Sequence, residues 1–318
     1  MNAVELREVL QAGRVCPADY VYSPKVFARL PDFEAETLYV VGGLYGNLAA
    51  LDAVEQLAAQ EMAPVIIVFN GDSHWFDAEP DWFAHIERGV ARHRALRGNI
   101  ETEIARLTDI GAGCGCDYPP NVSEDVVWRS NFISLQLRAN ATAVARARLR
   151  DLPMHLVAEV AGLRVGIVHG DATALAGWNF GQDELDNPRR KEWLSDVCAA
   201  SHIDAFASTH TCLAALRDFV FPTGRLTVVN NGAAGMPNFA GSRYGLISRI
   251  ASTRSPHKPL YGLLRDGVHI DAIPLKYDHA AFLHRFLARW PEGSPAHDSY
   301  YRRIADGPDY AVAQAAGQ

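Results

Sequence analysis

Short runs of Val, Ile and Leu alternate along this chain with stretches whose apolar residues recur every three or four positions. That alternation predicts a layered α/β architecture. "TLYVVGG", from Thr37, reads as a strand, and "NLAALDAVEQLAAQ" as an amphipathic helix starting at Asn47. "PVIIVFNGD" reads as a fully buried strand ending at Asp72. "HLVAEVAGLRVGIVHGD" reads as two strands joined by a tight Ala-Gly turn, with His169 at the far end. "DAFASTHT", "RLTVVNNGAAG", "GLISRIA" and "PLYGLLRDGVHIDAIPL" supply further strands.

Two regions fall outside this rhythm. Residues 1–36 precede the first buried strand and are expected to form an extension packed on a core domain of residues 37–275. Residues 109–150 open with the loop "DIGAGCGCDYPPN" and continue as one long helix or two, with Ser123 as an N-cap. An insertion of this kind between strand ends forms a lid or side wall, or else packs on a sheet face. Residues 276–318 are expected to be a C-terminal helix and tail. Within them "HAAFLHRFLARW" is amphipathic, and "SYYRRIADGPDY" serves an oligomer contact or nothing.

A hydrophobic content of 48% with 21% charged residues belongs to a folded chain, not a disordered one. The formal net charge of -7 argues against binding a nucleic-acid backbone, while leaving a small phosphorylated substrate open. The opening "MNAVELREVLQAGRV" has no apolar stretch of signal-peptide length, and no run approaches a membrane span. The expectation is a cytoplasmic protein with no membrane partner, and a homo-oligomer remains open. Five cysteines at irregular spacing do not suggest a disulfide framework, so Cys114 and Cys116 read as loop thiols. "GAGCGCD" follows no strand and fails as a dinucleotide-binding fingerprint.

Four metal-capable side chains gather at strand ends. Asp72 follows "VIIVFNG", Asn99 follows "ALRG", His169 follows "VGIV" and His210 follows "DAFAST". Ligands of open α/β sheets bind outside the carboxyl ends of the strands, so these four could converge. A mixed nitrogen and oxygen donor set suits one divalent Mn, Fe or Zn better than Ca.

The stretches "GLYGN", "NGD", "RGNIE", "VHGD" and "STHTC", then "VVNNGAAGMP", follow one another between about Leu38 and Ile250. In that order they resemble the motifs of the calcineurin-like metallophosphoesterases, especially the small phosphodiesterase branch. The resemblance implies a layered sandwich of two mixed β-sheets flanked by helices, here with a helical insertion. It implies hydrolysis of a phosphomonoester or phosphodiester at a pair of metal ions, with water as the nucleophile. Mapped residue by residue, one metal site is complete in Asp72, Asn99, His169 and His210. The positions exclusive to the other hold Gly43, Tyr45 and Cys212. One strongly bound divalent cation is therefore expected, and a second lacks its ligands.

Asn99, Tyr45 and His74 are the candidate catalytic residues. Tyr45 either donates its phenol to a phosphoryl oxygen or plugs the space of the missing ion. His74, two residues after Asp72, sits on a loop expected to face the cleft as a substrate contact, general acid or replacement ligand. Ile100 stands where the family's phosphatases carry a leaving-group histidine, which the small phosphodiesterase branch also lacks. An alternative reading is a catalytically impaired protein of the same fold that binds a nucleotide or phosphorylated metabolite as a sensor.

Overall fold

A computed structural model describes residues 12–317 of the chain, so the first eleven residues of the expected N-terminal extension lie outside it. Among the described residues, twelve strands form two six-stranded sheets. One contains β2 (Thr37–Val41), β3 (Val65–Asn70), β4 (Arg94–Leu96), β10 (Gly245–Ala251), β11 (Tyr261–Arg265) and β12 (Val268–Leu275). Its spatial order is β11-β12-β10-β2-β3-β4. The other contains β1 (Phe33–Glu34), β5 (His155–Val160), β6 (Leu163–Val168), β7 (Ala205–Ser208), β8 (Ala214–Phe221) and β9 (Gly224–Asn231). It is ordered β1-β5-β6-β7-β9-β8. Strands β2, β3 and β4 run parallel, as do β6, β7 and β9.

The two sheets bury their facing sides against each other. Along β2, Leu38 and Val40 join Val165, Ile167, Ala205 and Ala207 in the inter-sheet core, while Tyr39 and Val41 face the opposite side. This period-two division explains why the strand reads as an unbroken apolar run: neither face meets water. The outer face of the first sheet is covered by α1 (Leu48–Ala58) and α2 (Pro80–Val90), with Leu51, Val54, Phe83 and Ile86 packed there. The expected sandwich of two mixed sheets flanked by helices is therefore the one observed.

Local signals act as the residue types predict. Asn47 caps α1 by accepting the Ala50 N–H at 3.1 Å. Ala161 and Gly162 both have positive φ (49° and 84°) and form the tight turn between β5 and β6. After α3 (Asn99–Ala105), the insertion folds as α4 (Glu124–Asn140) and α5 (Ala143–Asp151). Ser123 caps the first, and Thr142 caps the second by accepting the Ala145 N–H, which separates the two helices. Beyond the short α6 (Gln182–Leu185), helix α7 (Lys191–Ser201) covers the outer face of the second sheet through Leu194 and Val197.

Three features depart from expectation. Strand β8 was not foreseen, because Arg217 and Asp218 interrupt its apolar run; it lies at a sheet edge, where such residues can reach water. Cys114 and Cys116 form a disulfide across Gly115 instead of standing as isolated thiols. The C-terminal segment is three helices, α8 (His279–Arg289), α9 (Pro295–Asp306) and α10 (Val312–Ala316), and α9 reaches the candidate site. No helix of the described residues is long and apolar enough to cross a membrane.

Candidate metal centre

Each sheet delivers two of the four side chains singled out by the sequence. Asp72 lies two residues beyond β3, and Asn99 opens α3 just after β4. His169 immediately follows β6, and His210 lies two residues beyond β7. All four are buried, none more than 5% exposed. One donor atom from each of Asp72, His169 and His210 can be chosen so that all lie within 4.8 Å of one another.

The hydrogen bonds around this cluster fix which atoms carry lone pairs. His169 Nδ1 lies 2.9 Å from the Asn70 carbonyl oxygen, which can only accept, so Nδ1 carries the proton and Nε2 does not. His210 Nε2 likewise donates to the Cys116 carbonyl at 3.0 Å, leaving Nδ1 bare. The Asn99 amide donates through Nδ2 to the Cys114 carbonyl at 2.9 Å and turns Oδ1 inward. His169 Nε2 then faces Asn99 Oδ1 at 2.9 Å, His210 Nδ1 at 3.1 Å and Asp72 Oδ1 at 3.4 Å. Asp72 Oδ1 is buried and has no hydrogen-bond partner.

His169 Nε2, His210 Nδ1 and Asn99 Oδ1 are three acceptors aimed at one another with no proton between them, beside the unpartnered Asp72 Oδ1, and they repel unless a cation sits among them. Protonating the imidazoles does not resolve the conflict, because burial pushes His169 well below the usual histidine range. Burial and the neighbouring His169 push His210 down to about 3. Burial and the Glu101 carboxylate hold Asp72 well above the usual carboxylate range. The backbone carbonyls that orient the two imidazoles are the outer partners that metal-ligating histidines use. The donor set thus fits a divalent transition metal.

Close packing explains the glycines that precede Asp72 and Asn99. A Cβ on Gly71 would lie 2.5 Å from His169 Nδ1, and one on Gly98 would lie 2.8 Å from His169 Cε1. Glu101 holds the two turns together: its carboxylate accepts the N–H groups of Asp72 (2.9 Å), Ser73 (2.8 Å) and Gly98 (2.8 Å). Asp72 itself has φ of 53°, a left-handed conformation costly for a side-chain-bearing residue, and this clamp helps to hold it.

The other half of the site is filled by protein. Tyr45 is 4% exposed, and its hydroxyl hydrogen-bonds with Cys212 Sγ at 2.7 Å. Tyr45 and Cys212 also adopt left-handed backbones, with φ of 54° and 59°. Tyr45 also lines the pocket beside Asp72, Asn99 and His210.

His74 does not face the cleft. It is fully buried, with Nδ1 2.6 Å from Asp77 and Nε2 3.0 Å from Glu87, and its ring stacks on Phe83 with centroids 3.8 Å apart. Both nitrogens are taken, and Arg148 closes the network by donating to Glu87. Burial works against a charge there, yet Asp77 and Glu87 outweigh it and raise His74 to about 10. Its role is therefore that of a buried cation bracing the loop after Asp72.

A pocket of about 210 Å³ opens beside Asp72, Asn99 and His210. Trp75, Tyr118, Trp178 and Tyr300 contribute aromatic walls, and Ser299 and Arg303 line it from α9. None of these lies in the strand-end motifs that carry the resemblance. The stretch "SYYRRIADGPDY" contains three of them, but nothing in its pattern reveals which strand ends it docks against.

No protein-family model and no curated protein matches the sequence. Solved structures do match the fold. A metallophosphoesterase from Sphaerobacter thermophilus aligns with 86% of this chain and 100% of its own, at 16% identity and a TM-score of 0.54. A hypothetical protein from Pyrococcus horikoshii OT3 aligns with 86% of this chain and 99% of its own, at 17% identity and a TM-score of 0.57. At such identities the likeness is one of fold, and it agrees with the order of motifs along the strands. The chain has the metallophosphoesterase fold.

Proposed function

We propose that this protein is a phosphoesterase working with one divalent cation held by Asp72, Asn99, His169 and His210. The observation that carries this reading is the convergence of the bare His169 Nε2, His210 Nδ1 and Asn99 Oδ1 on the unpartnered Asp72 Oδ1, each side chain held by a hydrogen bond or backbone constraint on its other side. A divalent ion bound there supplies Lewis-acid polarisation of a phosphoryl oxygen and a lowered pKa for water.

The chain's own groups do the rest. Glu101 fixes the Asp72 turn, and the carbonyls of Asn70 and Cys116 set the imidazole tautomers. Tyr45 and Cys212 close the space beside the cluster, and the aromatic walls restrict water around the ester. With Mn, Fe or Zn as the ion, one site in place of two is consistent with the loss of Asp and His donors at Gly43 and Tyr45.

Purified protein loaded with Mn²⁺ is assayed on p-nitrophenyl phosphate and bis(p-nitrophenyl) phosphate, with metal content measured on the same sample. Turnover that a chelator abolishes and Mn²⁺ restores is the expected result. A metal-loaded protein that binds phosphate esters without turning them over would be the sensor instead.

A further inference from the structure

Two donors in the pocket wall have no partner in the protein. Arg303, on α9, donates from Nη2 to the Cys212 carbonyl at 2.5 Å, while its Nε is buried without a hydrogen-bond partner. Ser299, four residues earlier and on the same face of the helix, also buries an unpartnered hydroxyl. Both line the pocket that contains Asp72, Asn99 and His210. Leaving such groups unpaired is costly, so their retention in one pocket marks a place where a ligand supplies the acceptors.

The charge is also well placed. Arg303 is bonded to the Cys212 carbonyl and Tyr45 to Cys212 Sγ, so a fixed guanidinium stands beside the space that Tyr45 fills. Arg is suited to planar recognition of phosphate oxygens, and its charge persists at every relevant pH.

Resting on the phosphoesterase reading above, we propose that Arg303 and Ser299 form an oxyanion subsite for the free phosphoryl oxygens of a small phosphomonoester. A monoester dianion carries two charges, matched here by a guanidinium and by the cation of the neighbouring cluster. A diester offers one charge and one fewer free oxygen, and uses the subsite less fully. A volume of about 210 Å³ is below the roughly 300–1,000 Å³ of pockets for drug-sized ligands, which favours a compact esterified group.

Inorganic phosphate is titrated calorimetrically into Mn²⁺-loaded wild type, Arg303→Met, Arg303→Lys and Ser299→Ala, with metal content measured for each. The metal content is expected to stay constant. Phosphate affinity falls at least tenfold in Arg303→Met, several-fold in Ser299→Ala and partly in Arg303→Lys. Unchanged affinity in Arg303→Met and Ser299→Ala, or no phosphate binding by the wild type, overturns the subsite. If Arg303→Met fails to fold for want of its bond to Cys212, Ser299→Ala and Arg303→Lys decide, and unchanged affinity in both overturns it. This titration needs no turnover, so a protein that hydrolyses nothing still reports on the subsite. Where turnover exists, Arg303→Lys lowers kcat/KM more for p-nitrophenyl phosphate than for its bis ester; an equal loss overturns the monoester assignment.

Discussion

The ring of Tyr45 lies in the volume that a side chain on Gly43 would claim: a Cβ built there falls 2.7 Å from Tyr45 Cε2 and 3.0 Å from its hydroxyl oxygen. The two residues are therefore one unit. The glycine leaves the room, and the tyrosine occupies it.

A double-mutant cycle tests that pairing. Gly43→Ala is expected to cost about 1–3 kcal/mol through overpacking and its left-handed backbone. Tyr45→Ala opens a cavity and costs stability for a different reason. The double variant is expected to lose less than the sum of the two, with a coupling of about 0.5–3 kcal/mol in urea unfolding. Strict additivity would show that the two residues do not share the space.

The same geometry predicts how a second ion could be restored. Gly43→Asp alone is expected to lower stability without adding metal, because the Tyr45 ring blocks the carboxylate. Combined with Tyr45→His and Cys212→His, it is expected to raise bound Mn²⁺ from one to two per chain by elemental analysis. A stoichiometry that stays at one in the triple variant would place the obstruction elsewhere.

Asp72→Asn is expected to lower metal content and any esterase activity together, because it replaces the one anionic donor of the cluster. Glu101→Gln acts at one remove: a glutamine cannot accept all three N–H groups that Glu101 accepts. An outer partner of this kind typically supports about 10–100-fold in metal affinity. Calorimetric Mn²⁺ binding is the measurement, and an unchanged Glu101→Gln affinity would remove Glu101 from the assembly of the site.

His74 gives a pH signature of its own. Its folded pKa is raised from an ordinary 6.5 to about 10, so its contribution is fully present below 6.5 and is lost as pH rises through about 10. Breaking such a buried network costs about 3–5 kcal/mol. His74→Leu is therefore expected to be destabilised most between about pH 5 and 6.5, with the gap to wild type narrowing from 6.5 to about 10. A constant gap across that window would mean that His74 is buried neutral.

The parts of this molecule legible in its sequence are those encoded locally. A buried strand, then glycine, then a polar side chain places Asp72, Asn99, His169 and His210 at strand ends, and the structure brings those four together. Ser123, Asn47 and the Ala161–Gly162 turn were readable for the same reason, since each cap or turn is decided within a few residues. The rest depends on docking. His74 misleads because its counter-charge Glu87 lies on the next helix, where only the fold reveals it. Ser299, Tyr300 and Arg303 belong to a segment expected to be tail, which forms a helix whose docking against the strand ends no local pattern announces. Strand β8 hides because an edge strand tolerates the charges that disqualify a central one.

Since Asp72 and Asn99 hang from one sheet while His169 and His210 hang from the other, an ion among them would act as a rivet between the two layers. Its affinity becomes a gauge of their registry. A substitution deep in the shared core, such as Val165→Ala, touches none of the four donors, yet any sideways slip it permits would be felt as weaker grip on the metal.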